Sequence, residues 1–214
     1  MRRLLDINNP IMRFLVNMFD LMGLSVLWVV FSLPIFTMGA ASTALYSAVY
    51  HHVRLGEDYL WNSFWTAFKE NMKRSTLCWL VALAILAVLT ADALVFRTMV
   101  IRNQPMSWGY YVALMILALA MTWTVYLSAY AARFDGTVKE VLHFSFLLFR
   151  VHPVKTGAVL VLVLGGIALA LVLPAMVVFI PGVVYWGATY PIESVFLQHM
   201  RPEDKARMEK EKFE

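Results

Sequence analysis

Three acids stand inside otherwise apolar stretches of this 214-residue chain: Asp20, Asp92 and Glu193. A carboxylate at depth in hydrocarbon is costly, and it marks either an ion or proton path or a local ion pair. Asp20 and Glu193 fall towards the same ends of their segments as Asn17, Tyr46, Tyr50, His51, His52, Tyr126 and Tyr130. Brought together, these side chains would line a polar pocket open to one aqueous face, suited to a small hydrophilic or ionic ligand. The plainer reading is an interfacial ring of aromatics and histidines, with the acids satisfied by snorkelling and nearby cations. Asp92 belongs to the opposite end. His51 and His52 are adjacent and point about 100° apart on a helix, so they do not share a metal ion. No metal site and no cofactor is expected.

Enzyme signatures are absent. There is no phosphate-binding glycine loop, no GxSxG, no HExxH and no CxxC. No catalytic residue is assigned and a non-enzymatic role is expected. The 13 methionines form no repeated pattern, and Cys78 is the only cysteine, so no intrachain disulfide can form. Without a basic helix-turn-helix, nucleic acid is not an expected partner, although the pI is near 9.2.

The elements that must position these residues are membrane helices. The chain is 61% hydrophobic and 15% charged, where soluble domains run near 45–50% and about 25%. Mean hydropathy is +0.68. Apolar windows predict about six crossings, at 14–36, 37–53, 76–96, 108–132, 156–173 and 182–199. The first crossing is expected to stay as an anchor rather than be cleaved. Amphipathic stretches at 54–74 and 138–152 predict two helices at the interface, the first equally readable as a short helix packed on the bundle. Gly39, Ala40, Ala44 and Ala48 put small residues on one face of the second crossing, where backbones can approach closely. The fold class is therefore all-α: a polytopic transmembrane helix bundle filling residues 1–200 as one domain, with a charged tail over 201–214. The lipid bilayer is its first partner, and the oligomeric state is open.

Charge supplies the threading. Six crossings put both termini on one side, and 16 of the 18 Lys and Arg then share that side, all but Arg97 and Arg102. The positive-inside rule makes it the cytoplasmic side. A parallel internal repeat also suggests itself. At an offset of 81, Phe68, Lys69, Arg74 and Ser75 align with Phe149, Arg150, Lys155 and Thr156. Basic and hydroxyl residues at any helix entering from that side would produce the same likeness.

The run LPIFTMGAASTALYSAVYHHVRLGE (33–57), the following FWTAFKENMKRSTLCWL (64–80), Asn9-Pro10 with Met12-Arg13-Phe14, and Ala132-Arg133-Phe134-Asp135 together resemble the YesL family of bacterial integral membrane proteins, a domain of unknown function. The resemblance covers nearly the whole chain and is strongest over 9–80. It implies a bacterial plasma-membrane protein whose genes neighbour those for carbohydrate uptake and breakdown, with carbohydrate transporter subunits as partners. No ligand or catalytic residue carries over, and the charged tail is not a hallmark of the family. A non-enzymatic accessory of carbohydrate uptake is the first functional reading. A small transporter or channel using the cytoplasm-facing pocket is the second.

Overall fold

A computed structural model describes residues 10–52, 60–102 and 108–199. The arm through Asn9, the 53–59 segment with Arg54, residues 103–107 and the tail from 200 lie outside the described residues. Seven helices follow in order: α1 (Pro10–Ser32), α2 (Met38–Tyr50), α3 (Leu60–Ile101), α4 (Trp108–Arg133), α5 (Val138–Val151), α6 (Pro153–Val172) and α7 (Ile180–His199). Short 3-10 turns at Ile35–Thr37 and Pro174–Val178 join α1 to α2 and α6 to α7. No strand occurs among the described residues.

Sequence chemistry sets most of the boundaries. Proline lacks an N–H and restrains the residue before it. α1 accordingly ends ahead of Pro34, where the Thr37 hydroxyl donates to the Phe31 and Pro34 carbonyls at 2.6 and 2.8 Å. α5 begins with a capping box, in which Thr137 Oγ1 accepts from the Glu140 amide and the Glu140 carboxylate accepts from the Thr137 amide. Pro153 occupies the first turn of α6.

α2 is the centre of the bundle. Every residue from Gly39 to Tyr50 is buried. Ala40, Ala44 and Ala48 are fully enclosed. Gly39 lies so close to α3 that a Cβ there would overlap Trp79 Cβ and stand 2.8 Å from the Ser75 carbonyl oxygen.

One expectation needs correction. The amphipathic stretch before residue 76 is not a separate interfacial helix. From Leu60 it is continuous with the following crossing in α3, 42 residues long, or about 63 Å. No proline or glycine lies between Leu60 and Ile101 to stop it. The corresponding unit at the offset of 81 is broken at His152, ahead of Pro153, into α5 and α6. α5 packs inward through Val141, Ser145 and Leu148, and Ser145 Oγ accepts from Trp123 Nε1 of α4 at 3.2 Å.

Six crossings were expected; among the described residues three helices, α3, α4 and α6, are long and apolar enough to cross a membrane. α2 has 13 residues, about 20 Å, against about 30 Å of hydrocarbon. α1 has 23 residues, of which Val16–Ser32 are an apolar run. α7 has the length, but Tyr185, Tyr190, Pro191, Glu193 and Gln198 lower its hydropathy. Register agrees with length. Gly39 opens α2 opposite Ser75 and Trp79, whereas a full crossing antiparallel to α3 would open near Phe96. Asp20, early in α1, reaches His52 just past α2, and Phe31, late in α1, packs on Phe64, Trp65 and Phe68 in the first turns of α3. Both ends of this stretch of α1 are tied to one end of the α2–α3 pair.

α3 and α4 form a long antiparallel hairpin. Arg74 donates to the Ala131 carbonyl at one end (2.7 Å), Cys78 and Ala82 cluster with Trp123 and Leu127 in the middle, and Phe96 lies over Gly109 at the other end. α7 returns along α6, Gly187 against Leu162 and Gly166 against Val184. At the head of α7, Gly182 meets α1: its amide donates to Ser25 Oγ at 2.9 Å, and a Cβ there would run into the Leu21 carbonyl. Most of the apolar stretches of α3 and α6 face outward. Such a surface would be a large exposed patch in water, and it fits an integral membrane protein.

Candidate functional site

The polar candidates sort into several groups. The first joins α2, α4 and α7. Glu193, 3% exposed, accepts a hydrogen bond from the Tyr46 hydroxyl at 2.9 Å. Its Oε1 lies 3.4 Å from Arg133 Nε. Arg133 Nη2 donates to the Tyr50 hydroxyl at 3.1 Å, and the guanidinium covers the Tyr50 ring at 3.9 Å. A carboxylate, a guanidinium and two phenols thus form one buried network.

Local structure explains the placement. Tyr46 and Tyr50 are four residues apart, on one side of α2. Arg133 is the last residue of α4, where a cation meets the helix's unpaired carbonyls. Arg74 reinforces that end: its Nη2 donates to Asn71 Oδ1 (2.5 Å) as well as to the Ala131 carbonyl, and its Nη1 approaches Asp135 at 3.4 Å. Pro191 lies two residues before Glu193 and interrupts the backbone bonding of α7, and the Ser194 hydroxyl donates to the Pro191 carbonyl at 2.6 Å.

The remaining candidates lie elsewhere. Asp20 Oδ2 and His52 Nε2 are 3.4 Å apart. The His51 ring stands edge-on to Tyr50. The Tyr126 hydroxyl accepts from Thr156 at 3.3 Å, and its ring meets Phe149 edge-on. Tyr130 stacks on Phe134 and Phe144, with Phe196 edge-on. Asn17 is exposed on α1. Tyr46, Tyr50 and Glu193 close on one another rather than spread around a shared cavity. Among the described residues no three His, Cys, Asp or Glu side chains converge as a metal site would require.

Arg133 is the member of this network that sequence reasoning missed. It figured there only as part of a likeness, never as a partner for Glu193. The missing signal was the buried acid itself, which demands a cation.

A cavity of about 20 Å3 lies beside this network, lined by Ser42, Thr43, Ser75, Cys78, Ser128 and Tyr185 among others. Ser128 Oγ and the Tyr185 hydroxyl are 2.9 Å apart across the α4–α7 contact. That volume holds about one water molecule.

The class defined by these features is a helical membrane protein organised around a buried short helix and an ionic lock. A family model described as "Protein of unknown function, DUF624" matches residues 21–93, the segment from mid-α1 through α2 to most of α3. No curated protein and no solved structure matches the chain.

Proposed function

We propose that this chain is a non-enzymatic accessory of carbohydrate uptake, a scaffold in the bacterial plasma membrane that holds a transporter subunit. The observation that carries this reading is the closure of the polar side chains: Glu193, Tyr46, Tyr50 and Arg133 contact one another inside the bundle. The outward faces of α3, α4 and α6 meanwhile offer long apolar surfaces, among them Val88, Leu94, Met115 and Val161. The resemblance to the YesL family supplies the carbohydrate setting and the transporter subunit as partner.

In this reading both termini are cytoplasmic, and α1 and α2 form a hairpin that stays at the basic end of α3. With α7 crossing alongside α3, α4 and α6, losing the first and second crossings together leaves the parity of the chain unchanged, so the concentration of Lys and Arg on one side survives. The test is affinity purification of the full chain from native membranes in mild detergent, with the copurifying subunits identified. A stoichiometric carbohydrate transporter subunit supports the reading, and its absence alongside unchanged sugar uptake on deletion contradicts it.

The small-transporter reading rests on one observation, the burial of Glu193 beside Arg133 and two phenols. It requires that the purified chain alone carry solute across proteoliposome membranes and that Glu193→Gln abolish this flux.

A further inference from the structure

Asp92 stands outside every polar group described above. It is an exposed residue of α3, flanked by outward-facing Val88, Leu94 and Val95. Ion pairs join Asp20 to His52, Arg74 to Asp135 and Arg133 to Glu193, and none of these reaches Asp92. Five residues separate it from Arg97, about 7.5 Å along the helix, so it lies a turn and a half inside the charged end of α3. Acids on transmembrane helices almost always face the bundle interior or find a cation.

Among the described residues Asp92 is the one charged side chain lining a groove of about 220 Å3 between α3 and α4, whose apolar walls include Leu89, Phe96, Trp108, Val112 and Ile116. Trp108, 62% exposed, opens α4 ahead of Tyr110 and Tyr111, an aromatic belt that places this end at headgroup depth. The groove is smaller than the roughly 300–1,000 Å3 of small-molecule pockets. It is partly open to the surface and suits one end of an amphiphile.

We propose that the groove seats a phospholipid with a primary-amine headgroup, a phosphatidylethanolamine, with its ammonium on Asp92 and an acyl chain along Leu89, Val112 and Ile116. Charge and shape both point to this occupant. A primary ammonium donates charge-assisted hydrogen bonds to a carboxylate, which a quaternary choline cannot do, and the rest of the groove is hydrocarbon. A phosphatidylglycerol would set anion against anion. A basic side chain from a partner helix would satisfy Asp92 but would leave amine and choline lipids undistinguished.

The full-length protein is incorporated into nanodiscs holding equal amounts of phosphatidylethanolamine and phosphatidylcholine with a fixed share of phosphatidylglycerol. It is then partly delipidated, and the retained lipid is quantified by mass spectrometry. Wild type is expected to retain phosphatidylethanolamine over phosphatidylcholine about fivefold. Asp92→Glu keeps that preference, Asp92→Asn brings it to parity, and Asp135→Asn, at another exposed acid, leaves it unchanged. Asp92 is exposed, so the Asn variant keeps its melting midpoint, checked on the same preparation. Equal retention by wild type, or a preference that survives Asp92→Asn, overturns the assignment.

Discussion

Arg133 ends α4, Glu193 stands in the last third of α7, and their Nε and Oε1 atoms lie 3.4 Å apart in the interior of the bundle. Tyr46 and Tyr50 of α2 complete the contact from a third helix. Breaking a buried pair leaves an uncompensated charge, at a cost of about 3–5 kcal/mol. Glu193→Ala and Arg133→Ala should therefore each lower the melting midpoint strongly. Tyr46→Phe, which removes one hydrogen bond to a charged acceptor, should cost about 1.5–3 kcal/mol. A double-mutant cycle across Arg133 and Glu193 should be strongly non-additive. A Glu193→Ala protein that melts like wild type would mean that the lock is not structural.

Gly39 makes a second stability test. Its Cβ position is already taken by Trp79 Cβ and crowded by the Ser75 carbonyl oxygen, so Gly39→Ala forces the α2–α3 contact apart at about 1–3 kcal/mol. Trp79→Ala should rescue it only in small part, because it removes the crowding Trp79 Cγ but keeps the closer Cβ and the Ser75 backbone oxygen. Gly165→Ala, in an α6 site with open space around it, should be neutral or stabilising by up to about 1 kcal/mol. Both are read from thermal unfolding in detergent.

The α1–α2 hairpin predicts sidedness. Ile35 and Phe36, between α1 and α2, are 66% and 56% exposed, and the Ile35 carbonyl accepts from Trp79 Nε1 at 2.8 Å. In a Cys78→Ala background, Ile35→Cys and Phe36→Cys should react with a membrane-impermeant maleimide from the same side as Lys69→Cys and Lys73→Cys, in right-side-out and inside-out vesicles alike. Two full crossings would place 35 and 36 on the opposite side from 69 and 73.

Much of the fold could be read from local chemistry. Pro34, Pro153 and the Thr137–Glu140 pair mark helix ends by what they do to nearby backbone groups, and Ala40, Ala44 and Ala48 mark the close-packed face of α2. The length of α3 was also legible, because nothing between Leu60 and Ile101 breaks a helix. The depth of α2 was not legible. An apolar run of adequate composition looks alike whether it faces lipid or is enclosed by protein, and only the contact of Gly39 with Ser75 and Trp79 decides. The pairing of Arg133 with Glu193 depends on how α4 and α7 meet in space, which no local pattern encodes. Tyr126 and Tyr130 lie on the same side of α4 as Arg133, seven and three residues before it, and yet make aromatic contacts with Phe149 and Phe144.

The role as an accessory of carbohydrate uptake is tested most directly by the rate of labelled-sugar uptake in cells lacking this chain, with its transporter subunits present at normal levels. Uptake should fall on deletion. Wild type should restore it, and an Arg133→Ala variant that fails to hold its fold should not. The purified chain alone should give no flux in proteoliposomes. Uptake unchanged by deletion, or sugar flux through the isolated protein, would contradict that role.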